Sequence, residues 1–188
     1  KHVGKHFSIL AVHVDDILQV STQETLYSEL NEGLRTAYGT ITAHENAEAY
    51  LGMTIERSSC MEYLKITQKG MIQKLVEKYP TLRGDRKKYT TPAVEEIFDT
   101  RASDSHAPLS DKERSQYLGL IMTLMYLARL SRPDVLLPVT FLASRTHVST
   151  VKDLEHAVRV IRYLENTIDE GLIIHCDDLS ITVHCDAS

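Results

Sequence analysis

Cysteine is scarce in this chain, and basic side chains are fewer than acidic ones, 21 against 26. Only Cys60, Cys176 and Cys185 occur. An odd, sparse set argues against a disulfide framework and for a reducing compartment. No stretch approaches the roughly 20 apolar residues that span a membrane. No segment of the sequence has the make-up of a secretory or transit peptide, and no internal repeat is visible. The formal net charge is -5, which by itself does not favour phosphate binding, because that needs Lys and Arg facing the backbone.

What is present is an ordinary globular composition. Of 188 residues, 43% are apolar and 25% charged, enough for one large soluble domain or two small ones. Charge is distributed unevenly. Residues 57–88 hold nine basic side chains against three acidic ones, and residues 95–113 hold six acids against two bases. A basic segment beside an acidic connection fits a nucleic-acid groove, and it equally fits a mixed solvated surface. The chain starts without Met and stops directly after a strand-like run, so the expectation is an internal piece of a longer protein.

The apolar run from Phe7 to Val14 suits a buried strand. Asp15 and Asp16 interrupt it and Ile17 to Val20 resume it, which predicts a hairpin with two acids at its turn. Ser21 and Glu24 have capping-box spacing, and Leu26, Leu30, Leu34 and Ala37 continue a helix to Gly39. Residues 50–57 and 61–66 read as strands around Ser58-Ser59. Thr67 is positioned to cap a helix bearing Met71, Ile72, Leu75, Val76 and Tyr79, which Pro80 stops. From Thr81 to Pro108 no period is visible, so a long connection is expected.

The second half reads as helical. Ser110 and Glu113 form a capping box before Tyr117–Leu130, which is apolar nearly all round and therefore expected to be buried. Ser131-Arg-Pro-Asp134 opens a helix toward His147, with Pro138 expected to bend or restart it. Thr150 caps a third helix with Leu154, Ala157, Val158, Ile161 and Leu164 inward. Gly171–His175 and Ile181–Cys185 suggest a hairpin across Asp177-Asp178.

Asp15-Asp16 carries the sharpest chemical signal. Adjacent carboxylates at an apolar hairpin tip are costly unless something neutralises them. A divalent cation does so, and Mg2+ takes hard oxygen ligands. Two such ions can activate a primer hydroxyl and hold a triphosphate. A solvated Asp-Asp turn is the alternative.

The segment Ala11-Val-His-Val-Asp-Asp-Ile-Leu18 resembles the catalytic hairpin of copia-type retrotransposon reverse transcriptases, where a Tyr-Val-Asp-Asp-Ile-Leu run is typical. Tyr50-Leu-Gly-Met-Thr-Ile55 resembles that family's Phe-Leu-Gly-Ile-Glu strand, and Leu64 to Leu75 its Gln-Lys-Gly-Tyr-Ile helix start. Thr91-Pro92, Tyr117-Leu-Gly through Tyr126-Leu-Ala128, Ser131-Arg-Pro-Asp134, Arg162-Tyr-Leu164 and Gly171-Leu172 follow in the family's order. The resemblance covers nearly the whole chain.

It implies an α+β fold in four parts. Residues 1–66 would be the C-terminal part of the palm and 67–108 the thumb start and linker. Residues 109–168 would be the helical thumb and connection, and 169–188 the first strands of an RNase H-like domain. It implies that Asp15 and Asp16 bind Mg2+ or Mn2+, with Asp15 the better candidate for direct coordination. Asp186 would be the first RNase H carboxylate, or else a solvated acid. Leu51 and Gly52 would lie on a strand near the primer end. Lys65, Lys69, Lys74, Arg83, Arg86, Lys87 and Lys88 could face phosphate. Partners would be an RNA/DNA template-primer, deoxynucleotides and the remaining polymerase and RNase H segments, with no membrane. The setting would be intracellular, in the cytoplasm, a virus-like particle or the nucleus.

Some features depart from the pattern. The fingers and the strand carrying the third palm aspartate are missing, so a two-metal site is incomplete. His13 stands where the family has Tyr. Little or no polymerisation is expected from this chain alone. The rival readings are a non-enzymatic nucleic-acid-binding remnant and a structural or assembly module. His175-Cys176 and His184-Cys185 could suggest zinc, but alternation along a strand lets only some of them converge.

Overall fold

A computed structural model describes residues 2–79 and 88–175. The fold is α+β, as the sequence predicts, and the chain divides into two compact units, Lys1–Leu51 and Gly52–Ser188.

The first unit is an antiparallel sheet with one helix. Its strands are β1 (His2–Val3), β2 (His6–His13) and β3 (Asp16–Ser21), in that order. The register pairs Ser8 with Ser21 and runs down to His13 with Asp16. Helix α1 (Glu24–Tyr38) ends at Gly39, whose φ of 82° suits a residue without Cβ. Leu26 is the buried contact of α1. Beside it, Gln19 donates to Leu26 O at 3.2 Å and to the hydroxyls of Ser8 and Ser21, both at 2.9 Å. The Ser21–Glu24 capping box does not form. Ser21 is spent in β3, its hydroxyl donating to Ser8 at 2.9 Å, and α1 starts after Gln23 with no side-chain cap. The unit ends in the short strand β4 (Ala49–Tyr50), whose Tyr50 hydroxyl donates to Ala11 O at 3.2 Å.

The second unit joins a small sheet to a helical core. Strands β5 (Met53–Arg57), β6 (Tyr63–Thr67) and β7 (Leu172–His175) are antiparallel neighbours, so β7 returns across more than a hundred residues to pair with β6. Gly171 makes this possible, because a Cβ there would stand 2.3 Å from Ile66 O. Helix α2 (Lys69–Lys78) follows β6 directly. Thr67 does not cap it: it is a buried residue of β6, and Gln68 holds the N-cap position. The expected strand over 50–57 is likewise interrupted. Leu51 and Gly52 form a turn with φ of 48° and 74°.

The helices α4 (Asp111–Leu130), α5 (Leu136–Ser144) and α6 (Val151–Asn166) build the core with α2. Leu120, Ile121, Leu124, Val139, Val160 and Ile161 are fully or almost fully buried. Both predicted caps form here: Ser110 with Glu113 on α4, and Thr150 with Asp153 on α6. The helix restarts at Pro138 as expected: a 3-10 turn over Pro133–Val135 gives way to α5 at Leu136, which puts Pro138 in the first turn of α5, where an N–H has no helical partner to lose. The expected long connection is not structureless. It carries a short 3-10 helix (Glu95–Phe98) and α3 (Thr100–Asp104), and it buries Ile97 in the core, with Leu109 buried directly after it. Among the described residues, no helix is long and apolar enough to cross a membrane.

Candidate functional site

The hairpin of β2 and β3 closes through a two-residue turn, and its register decides where the acids go. His13 pairs with Asp16, so the turn residues are Val14 and Asp15. Asp15 occupies the turn itself, while Asp16 is the first residue of β3 and lies opposite His13. The sequence predicted both acids in the turn, and the tight closure moves Asp16 into the strand. Val14 has φ of 54°. A β-branched residue in that region is a steric outlier, and such strain persists only where surrounding structure enforces it. Here the ladder from Ser8–Ser21 to His13–Asp16 does so.

His13, Val14, Asp15 and Asp16 are all exposed. The flanking apolar residues are exposed too, with Ile9 at 62% and Val12 at 63%. Two carboxylates on adjacent residues of an open tip fit the donor chemistry of Mg2+, which keeps several waters and takes one or two protein carboxylates. Among the described residues, no three His, Cys, Asp or Glu side chains come together where they could hold a metal ion.

The proposed nucleic-acid residues are dispersed. Leu51 is half-buried and Gly52 exposed, in a turn and not on a strand. Lys65 pairs across β5 with Glu56. Lys69 Nζ lies 3.0 Å from Asp169 and 3.7 Å from Glu56, and the Asp169 carboxylate it donates to holds its ammonium above the usual lysine range. Lys74 on α2 and Lys88 are exposed. Arg83, Arg86, Lys87, Cys176, His184, Cys185 and Asp186 lie outside the described residues.

Several of the recognisable sequence motifs turn out to hold the fold together. Ser131 donates to Gln68 Oε1 at 2.8 Å, both side chains buried, so the start of α2 is tied to the end of α4. Arg132 is 2% exposed and grips Asp134 through two hydrogen bonds of 3.0 and 2.8 Å. It also donates to Thr167 O at 2.9 Å and Thr167 Oγ1 at 2.6 Å, and its guanidinium lies 5.4 Å from the centre of the Tyr163 ring. Tyr163 in turn donates to Asp134 at 2.7 Å. Burial alone would raise the Asp134 carboxyl, but the bonds from Arg132 and Tyr163 outweigh it and hold it below the usual range. A second node joins three helices. Arg145 donates to Asp153 at 2.7 and 3.2 Å and to Asp104 at 2.7 Å. For Asp153, burial again pushes up, and Arg145 with the Thr150 cap pulls further down.

No known family profile matches the chain, and no solved structure does. Curated relatives do match over nearly its full length. It is 28% identical over 185 residues, 98% of this chain and 12% of the relative, to a retrovirus-related Pol polyprotein from transposon RE1 of Arabidopsis thaliana. It is 27% identical over 179 residues to an uncharacterized mitochondrial protein of the same plant, covering 95% of this chain and 70% of the relative. It is 27% identical over 182 residues to a transposon Ty5-1 protein of Saccharomyces cerevisiae, covering 95% and 56% respectively. The chain therefore spans about an eighth of the polyprotein it matches. Similarity of this extent to transposon proteins supports a retrotransposon-derived chain.

Proposed function

We propose that this chain is the part of a copia-type reverse transcriptase that runs from the metal-binding hairpin through the thumb and connection to the start of the RNase H domain. The observation that carries the reading is the tip of the β2–β3 hairpin. A strained, enforced two-residue turn presents Asp15 and, on the next residue, Asp16. Strain of this kind concentrates at functional sites. The ordered resemblance along the chain and the transposon relatives support the same reading.

In that role Asp15 and Asp16 hold Mg2+ or Mn2+, and the bound ion supplies charge neutralisation for nucleotidyl transfer. Asp15 is the direct ligand and Asp16 the auxiliary one. Among the described residues no third ligand joins them, so full activity needs the rest of the polymerase. Leu51, Gly52 and the exposed lysines Lys74 and Lys88 contact the template-primer backbone.

The test is binding of this chain to an RNA–DNA hybrid across a salt series, with and without Mg2+. Binding that falls steeply with salt and gains from Mg2+ in the wild type but not in Asp15→Asn is expected. No binding at low salt overturns the duplex assignment. A Mg2+ gain that survives Asp15→Asn overturns the metal assignment.

A further inference from the structure

The acidic connection does more than join elements. It lies along α6 and engages that helix at two points a little under two turns apart. Glu96 lies 3.4 Å from Lys152 Nζ. Tyr89 sits under the Arg159 guanidinium at 4.2 Å, and Thr91 Oγ1 accepts from Arg159 at 3.0 Å. Positions 152, 156 and 159 share one face of a helix. His156 therefore lies between the two anchor points on the face that residues 89–98 engage, and it is only 5% exposed. Its Nε2 finds no hydrogen-bond partner among the described residues. The segment is pinned further by Ile97, 1% exposed, and by an edge-to-face contact of Phe98 with Phe141 at 5.2 Å.

We propose that residues 89–98 form a proton-sensitive strap whose seat is His156: neutral imidazole keeps it closed over α6, and protonation loosens it. A buried imidazole with an unpartnered nitrogen has no room for a second charge-bearing N–H without either a new acceptor or water. The charged groups around it come from two sides. Glu96 faces it from the strap, and Lys152, Asp153 and Glu155 from its own helix. Arg145 of α5 and Asp104 of α3 are engaged with Asp153. Burial pushes the His156 imidazole below its ordinary value, Lys152 pushes the same way, and the three acids only partly offset them. When the strap opens, the imidazole meets water and takes up a proton at its ordinary value near pH 6.5. The open form then binds more protons than the closed one. Closure is complete above that value and is lost as pH falls toward the depressed one. Opening bares Lys152, protonated His156 and Arg159 as a cationic stripe suited to phosphate.

Hydrogen exchange tests this on the whole chain. The reporters are the amides of Ile97 and Asp99, which donate to Val94 O and Glu96 O, both at 3.1 Å. After correction for intrinsic exchange, their opening constant should rise by up to about tenfold per pH unit below pH 6.5. In His156→Gln the rise should vanish, while the amides of α4 behave alike in both proteins. An equal pH dependence in wild type and variant overturns the proposal. Should the variant not fold, titration of the His156 imidazole by NMR in the wild type decides. A value below that of the exposed histidines, matching the exchange midpoint, supports the strap, and an ordinary value overturns it.

Discussion

Replacing Gly171 by Ala should weaken the second unit, and the size of the effect follows from competing terms. The new Cβ would lie 2.3 Å from Ile66 O, 2.8 Å from Thr67 Cγ2 and 3.1 Å from Ile66 C. Two of these are backbone atoms of β6, a strand held on one side by β5 and on the other by β7. Neither can swing away like the end of a flexible side chain, so β7 must withdraw by about 1 Å to restore ordinary contact distances. Overpacking of this kind costs about 1–3 kcal/mol. Against it stands the reduced freedom of the unfolded chain, which favours Ala over Gly by about 0.4–1 kcal/mol. Gly171 does not have the left-handed φ that would add a further penalty. The net loss is then about 1–2 kcal/mol, a Tm lowered by roughly 3–8 °C for a unit of this size. Thermal unfolding followed by far-UV circular dichroism measures it, and amide exchange locates it in the paired stretches of β6 and β7. A variant as stable as the wild type, or more so, would refute the reasoning, because it would mean the close approach does not exist in solution.

Three further outcomes are expected. Arg132→Met should cost on the order of 3 kcal/mol, toward the lower end for a broken buried ion pair because Asp134 keeps 39% of its side-chain surface, and urea titration should show it. Asp153 and Asp134 have carboxyls held below their ordinary value, so their contribution is complete above pH ~4 and lost as pH falls through their depressed values. Asp153→Asn should flatten the acid limb of a stability–pH curve, and an unchanged limb would contradict the Arg145–Asp153 pairing. Val14→Gly should slow exchange across β2 and β3 by relieving a left-handed conformation worth about 1–2 kcal/mol, partly offset by glycine's entropy; faster exchange would show that Val14 is unstrained.

What the sequence made legible was local and periodic. The apolar run interrupted at Asp15-Asp16 announced a hairpin, and the caps of α4 and α6 were readable because no strand competed for Ser110 or Thr150. Ser21 and Thr67 have equally suitable cap chemistry, but each is claimed by strand pairing first, Ser21 opposite Ser8 and Thr67 opposite Thr54. The turn was misplaced by one residue because composition marks where a hairpin bends while register fixes which residue bends. Residues 89–109 gave no periodic signal, since single anchors such as Ile97 and Leu109 leave no period. The Arg132 node was equally hidden. Its partners Tyr163 and Thr167 lie about thirty residues away, so the motif pieces could be recognised while their common purpose could not.

That node has a consequence for how copies of such a sequence should drift. Arg132, Asp134 and Tyr163 form a closed triangle in which each side chain satisfies the other two. Losing Asp134 leaves a sunken guanidinium with only Thr167 to satisfy it, and losing Arg132 leaves a half-buried carboxylate held by Tyr163 alone, so the first of these substitutions carries most of the harm. Once it has happened, the remaining two are released from selection. Among decaying copies these three positions should therefore be kept together or abandoned together, whereas Asp15 and Asp16, exposed and owing nothing to packing, can be lost without any effect on folding.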